Sequence, residues 1–87
     1  MHEASLMNDL MRKIAALAEA ENAGRVTCVR VRLGALSHLS ADHFREHFVD
    51  ASRNTNAEGA ELDIVESTDI KDPNAQELVL LSIDVES

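Results

Sequence analysis

The chain has 87 residues, 45% of them hydrophobic, only Phe44 and Phe48 as aromatics, and a formal charge of -8 at pH 7. That length suits one small domain with an aliphatic core, and the apolar share excludes a disordered chain. Nine of the sixteen acids lie from Glu58 onward, where Lys71 is the only base; such a surface repels phosphate backbones and anionic lipid, so nucleic-acid and membrane partners are not expected.

The first three residues, Met1-His2-Glu3, can chelate a cation without a folded pocket. The terminal amine, the His2 amide nitrogen and the His2 imidazole reach one metal together. Deprotonating that amide suits Ni(II) or Cu(II), whose tetragonal sites take nitrogen donors, better than tetrahedral Zn(II). No apolar run approaches a membrane span, and no basic leader or cleavable apolar segment opens the chain, so the expected location is cytoplasmic.

From Ser5 to Asn22, Leu6, Leu10, Ile14 and Leu17 recur at helical spacing, and Met7, Met11, Ala15 and Ala18 widen the stripe. This predicts an amphipathic helix, capped by Ser5 and ended by the glycine of Asn22-Ala23-Gly24. Its methionines read as core residues, not metal ligands. Val26 to Leu33 then alternates, with Thr27, Val29, Val31 and Leu33 on one face and Cys28, Arg30 and Arg32 on the other, which predicts a strand. The arginines are expected to pair with Glu61 and Asp63 on the next strand. As the only cysteine, Cys28 excludes an internal disulfide and a cysteine-rich zinc site.

After the turn Gly34-Ala35-Leu36-Ser37, Ser40 is a suitable N-cap and Asp42 a first-turn acid for a second helix running to about Arg53, with Phe44, Phe48 and Ala51 facing the core. Asn54 to Gly59 forms a polar turn, and Ala60 to Glu66 a second strand in which Leu62 and Ile64 alternate with Glu61 and Asp63. Ser67 to Gln76, with Pro73, reads as a loop. Leu78 to Val85 is a third strand: Val79, Leu81, Ile83 and Val85 alternate, yet Leu78 and Leu80 are also apolar, so it is either covered on both faces or carries a bulge. The predicted fold is α/β, a two-layer sandwich with two helices packed on a three-stranded mixed sheet, in one domain spanning 1–87.

Met1-His2-Glu3 with Ser5 opening a helix, the Val26-to-Leu33 strand with Gly34-Ala35-Leu36-Ser37, then Ala57-Glu58-Gly59-Ala60-Glu61-Leu62, and finally Glu77-Leu78 with Ser82-Ile83, resemble the HypA/HybF family of hydrogenase-maturation nickel metallochaperones. The resemblance implies a nickel-binding domain in which His2 is the principal Ni(II) ligand, supported by the Met1 amine and the backbone or carboxylate of Glu3. It also implies docking to a [NiFe]-hydrogenase large subunit and to a nickel-insertion GTPase. The chain itself is expected to be a monomer or weak homodimer. The family's zinc domain, with its paired Cys-Xaa-Xaa-Cys motifs, would be inserted where this chain has only residues 67–76, so no structural zinc is expected. Ser40 stands where relatives often carry an acid; Asp42 aligns with a further acidic position and is a candidate substitute.

The resemblance leaves three histidines unexplained. His38 lies in the turn and would be a fourth nickel donor if that turn folds toward the N-terminus. His43 and His47, at i, i+4 with Asp50 nearby, have a spacing that can chelate a metal; the other reading is that His47 is a partly covered surface residue beside the Phe44/Phe48 face. The chain has no Ser/His/Asp grouping and no phosphate-binding glycine loop, so it is not expected to be an enzyme. The alternative to a nickel carrier is a metal-independent adaptor for a hydrogenase subunit or maturation GTPase.

Overall fold

A computed structural model describes residues 3–22, 24–37, 39–73 and 75–86, with the backbone alone for Glu3 and Ala4. Its elements are α1 (Glu3–Ala20), β1 (Arg25–Leu33), α2 (Ala41–Ser52), β2 (Glu61–Glu66) and β3 (Leu78–Glu86). The sheet order is β2-β1-β3, with β1 parallel to β2 and antiparallel to β3. A parallel pair needs a crossover connection, and α2 supplies it between β1 and β2. Helix α1 packs against α2, β3 and β1, and α2 packs against β2 as well. This is the expected two-layer α/β sandwich with a mixed sheet.

The inward stripe of α1 is Met7, Leu10, Ile14 and Ala18, all buried, and Met11 is half-buried against them. Leu17, expected on that stripe, is 44% exposed. Steps of three, four and four residues hold one side of a 3.6-residue helix, and from Ile14 the four-residue step lands on Ala18. The helix already begins at Glu3, so Ser5 lies within its first turn and does not cap it. Its exit runs through Asn22, whose φ of 53° is left-handed, a conformation asparagine tolerates better than most residues. The expected glycine is not the residue that turns the chain.

In β1 the simple alternation breaks. Val26, Val29, Val31 and Leu33 are buried, whereas Thr27, expected inward, is exposed. The pairing with β3 shifts register between Val26 and Cys28, and the Thr27 hydroxyl donates to the Asp84 carbonyl at 3.3 Å. An extra residue in one strand reverses which parity faces the core, and this one lets Val26 and Val29 share a face. A second shift falls between Arg30, opposite Ser82, and Val31, opposite Leu80, which leaves Leu81 as the surplus residue of β3. Leu78 and Leu80 before it, and Ile83 and Val85 after it, pack on the core, while Leu81 is 47% exposed. Of the two readings open for this strand, the bulge is correct.

Helix α2 follows its sequence signals closely. The Ser40 hydroxyl accepts from the His43 amide at 3.5 Å, and Phe44, Phe48 and Ser52 are buried. Ser52 returns its hydroxyl proton to the Val49 carbonyl at 3.2 Å, which satisfies a polar group inside the core. At the far end of the sheet, the Gly34 amide donates to the Glu77 carbonyl at 3.0 Å and the Leu36 amide to the Ala75 carbonyl at 2.7 Å. The Ser67 amide donates to the Leu33 carbonyl at 2.9 Å. These bonds tie the Gly34–Ser37 turn to the connection between β2 and β3, so that short connection is held by backbone pairing and by buried Ala75.

Candidate metal-binding positions

Met1, His2 and His38, three of the positions singled out for nickel, lie outside the described residues. Glu3 is the first residue of α1, described by its backbone, so the Met1-His2 dipeptide directly precedes the opening turn of that helix. Asp42 is exposed in the first turn of α2, one residue after Ala41 begins the helix, where a carboxylate complements the partial positive charge of unpaired amides. Among the described residues, no three His, Cys, Asp or Glu side chains converge on a point that could hold a metal ion.

The remaining side chains sort by burial. Met7 is buried and Met11 half-buried in the apolar core, which makes them packing residues as expected. Cys28 is a free thiol of intermediate exposure on the outer face of β1. His43 and His47 are both exposed on α2, so neither is covered by the phenylalanine face.

The outer face of the sheet carries the clearest electrostatic structure. Arg30 makes a two-pronged contact with Asp84 of β3, Nη1 to Oδ1 at 3.1 Å and Nη2 to Oδ2 at 2.9 Å, and Nη1 also donates to the Ser82 hydroxyl at 3.3 Å. Asp63 on β2 stands farther off, 3.9 Å from Nε. The hydrogen bond from Arg30 holds the Asp84 carboxyl below its ordinary range, and the same bond, followed by the Asp84 charge, raises Arg30. Arg32 meets Asp72 of the β2–β3 connection at 3.5 Å. The expected pairing of Arg30 with Asp63 is present, the two standing opposite each other, whereas the Glu61 half is corrected: Glu61 lies opposite Cys28, and the shorter contacts go to Asp84 and Asp72. The pairing with Asp84 depends on the register shift at Leu81, which no strand alternation discloses. In either case these arginines are neutralised by neighbouring carboxylates and do not form an anion receptor.

Residues 1–71 match the sequence model of a family described as "Hydrogenase/urease nickel incorporation, metallochaperone, hypA". The match starts at residue 1, and so takes in Met1-His2-Glu3, His38 and Asp42. The chain is similar to the hydrogenase maturation factor HypA of Archaeoglobus fulgidus, 42% identical over 72 residues, covering 82% of this chain and 66% of that protein. It is also similar to the hydrogenase maturation factor HypA of Chlorobium phaeobacteroides, 39% identical over 66 residues, covering 76% of this chain and 58% of the relative. The chain thus spans less than two thirds of the length of these curated relatives. Its fold resembles the solution structure of the Ni metallochaperone HypA from Helicobacter pylori, with a TM-score of 0.80 at 20% identity, covering 98% of this chain and 97% of that one. At that identity the likeness speaks for the fold alone. With the sequence match extending from the opening tripeptide through β1, α2 and β2, and the helix and strand layers agreeing as well, the chain belongs to the HypA family.

Proposed function

We propose that this chain carries nickel for the maturation of a [NiFe]-hydrogenase, binding Ni(II) as cargo at Met1-His2-Glu3. The observation that supports this most is the family match, which begins at residue 1 and takes in a tripeptide able to chelate by itself. The Met1 amine, the His2 amide and the His2 imidazole supply three nitrogen donors of the kind tetragonal nickel prefers, and Glu3 supplies a backbone or carboxylate group. Asp42 and His38 are candidates for a further donor.

The placement also favours release. Glu3 opens α1, and the unpaired amides of a helix N-terminus carry partial positive charge, which disfavours a nearby cation by about 0.3–1 kcal/mol. A carrier must give up its metal, and a mild electrostatic penalty at a chain terminus serves that end. Handover would take place in complexes with the hydrogenase large subunit and a nickel-insertion GTPase. No structural zinc takes part in this scheme, in which residues 67–76 stand where the family's zinc domain would be inserted. The whole chain acts as one nickel-binding domain in the cytoplasm, as a monomer or weak homodimer, and catalyses no reaction.

Nickel titration of the chain with an unblocked Met1 tests the proposal. The expected result is one tight Ni(II) with the yellow absorption of a square-planar complex, lost in His2→Ala and weakened by acetylation of the terminal amine. Undiminished tight binding in His2→Ala would overturn the assignment. A chain that associates with the hydrogenase subunit yet binds no nickel tightly would be the metal-independent adaptor instead.

A further inference from the structure

On α2, His43 and His47 stand one helical turn apart, each immediately before a buried phenylalanine, so both imidazoles flank the Phe44/Phe48 face and both are exposed. Residues at i and i+4 of a helix have Cβ atoms about 5–6 Å apart, and their side chains lean the same way along the axis. Two imidazoles so placed can converge on one cation, since metal–nitrogen bonds of about 2 Å span the gap. We propose that His43 and His47 form a second metal site, a two-imidazole clamp for a divalent late transition cation, built from residues other than the N-terminal tripeptide. The choice of nickel as its cargo rests on the carrier reading above; the chemistry of the clamp does not.

The surrounding residues define what kind of site it is. His43-Phe44-Arg45-Glu46-His47 has the ligand order of a helical zinc-hydrolase motif, in which two histidines hold the metal beside a glutamate. Here that helix face is open to solvent, and among the described residues no third metal-binding side chain converges with the pair. Asp50, one turn further on, meets Arg53 at 3.4 Å. Water therefore completes the coordination sphere, and the site holds and exchanges a cation without positioning a substrate. A helix whose other side is anchored by Phe44 and Phe48 keeps the two imidazole attachment points at fixed spacing, so chelation costs little further ordering.

The two sites are spectroscopically distinct. Square-planar nickel at an amine, amide and imidazole is diamagnetic, whereas nickel held by two imidazoles and water is six-coordinate and paramagnetic, and it broadens nearby amide resonances. Nickel chloride is added to the full chain while amide spectra are recorded for wild type, His2→Ala and His43→Ala/His47→Ala. Exposed alanines suit a helix, and the amide spectrum before nickel addition verifies that each variant is folded. The expected result is broadening centred on residues 43–50 in wild type and His2→Ala alike, absent in the double variant, with either single substitution weakening it by about tenfold or more through loss of chelation. Broadening of α2 that survives in the double variant, its absence from wild type at millimolar nickel, or its disappearance in His2→Ala would each overturn the second site. Loss of the yellow complex with retention of α2 broadening would instead defeat the N-terminal assignment and leave the clamp standing.

Discussion

Arg30 reaches across the sheet to Asp84 with two hydrogen bonds and leaves Asp63 at the edge of ion-pair range, so β3 takes most of its charge. The pH consequence follows from the direction of the shift. The Asp84 carboxyl is lowered by its hydrogen bond to Arg30, so the pair stabilises the fold above the ordinary carboxylate range, and that contribution is lost as pH falls through the range to the folded value. Asp84→Asn should therefore be less stable than wild type at neutral pH and converge with it in acid. Denaturant midpoints at pH 7 and at about pH 3 measure this, the lower value lying below the unperturbed aspartate pKa. An equal gap at both pH values would show that ionisation of Asp84 is not linked to folding. Both side chains are half-exposed, so the effect is small and declines with added salt. At this scale residue types announced the charges and one partner, Asp63, but not the tighter one: Arg30 could be recognised as an outer-face residue, while the choice of Asp84 over Glu61 depended on register.

Strand β3 shows how much one surplus residue decides within an element. Because Leu81 is the bulged residue, Leu81→Ser removes a largely solvent-facing side chain and should change stability by no more than about 0.5 kcal/mol. Leu80→Ser next to it removes apolar area packed on the core and should cost about 1–3 kcal/mol. Chemical denaturation of the two variants compares them directly, and a larger loss from Leu81→Ser would mean that the strand pairs in the other register. Alternation in the sequence supported both sets, since Leu78 through Leu81 are all apolar and a period of two has no phase in such a run. Helix α2 was legible by contrast: Ser40, Asp42 and the Phe44/Phe48 spacing each carry a local signal, and each sits where that signal places it. In α1 the spacing identified the buried side, Ala18 included, but also placed Leu17 and Ala15 on it, and both are exposed.

For the whole molecule, stability comes from aliphatic and phenylalanine side chains contributed by all five elements. A core of that kind should hold without a metal, so the chain is expected to keep its circular dichroism spectrum and its unfolding midpoint after exhaustive chelation. A drop in the midpoint that added zinc reverses would reveal a structural metal and show that apolar packing alone does not sustain the domain. Phe48 is where the packing is most exposed to test: it is almost wholly buried between helix and sheet, and Phe48→Ala should cost about 3–5 kcal/mol, a large share of the stability of a small domain. Phe48→Leu, which keeps more volume, should stay folded and show a smaller loss in the same denaturation assay.

Local chemistry in the chain determined what it is made of and which family it belongs to: helical spacing in α1, the cap and phenylalanines of α2, the apolar runs of the strands, and an opening Met1-His2-Glu3 whose proposed chelation needs only covalent neighbours. Such features need only a residue and its near neighbours, so they can be read in one dimension. The tertiary structure decided the rest. Which valines of β1 face inward, why Leu81 is spared, and why Arg30 and Arg32 bind Asp84 and Asp72 all depend on pairings between residues far apart in the chain, where two register shifts move side chains from one face to the other. The exposure of His43 and His47 belongs to the same class, because a helix presents a residue to solvent or to the core only once its neighbours are in place.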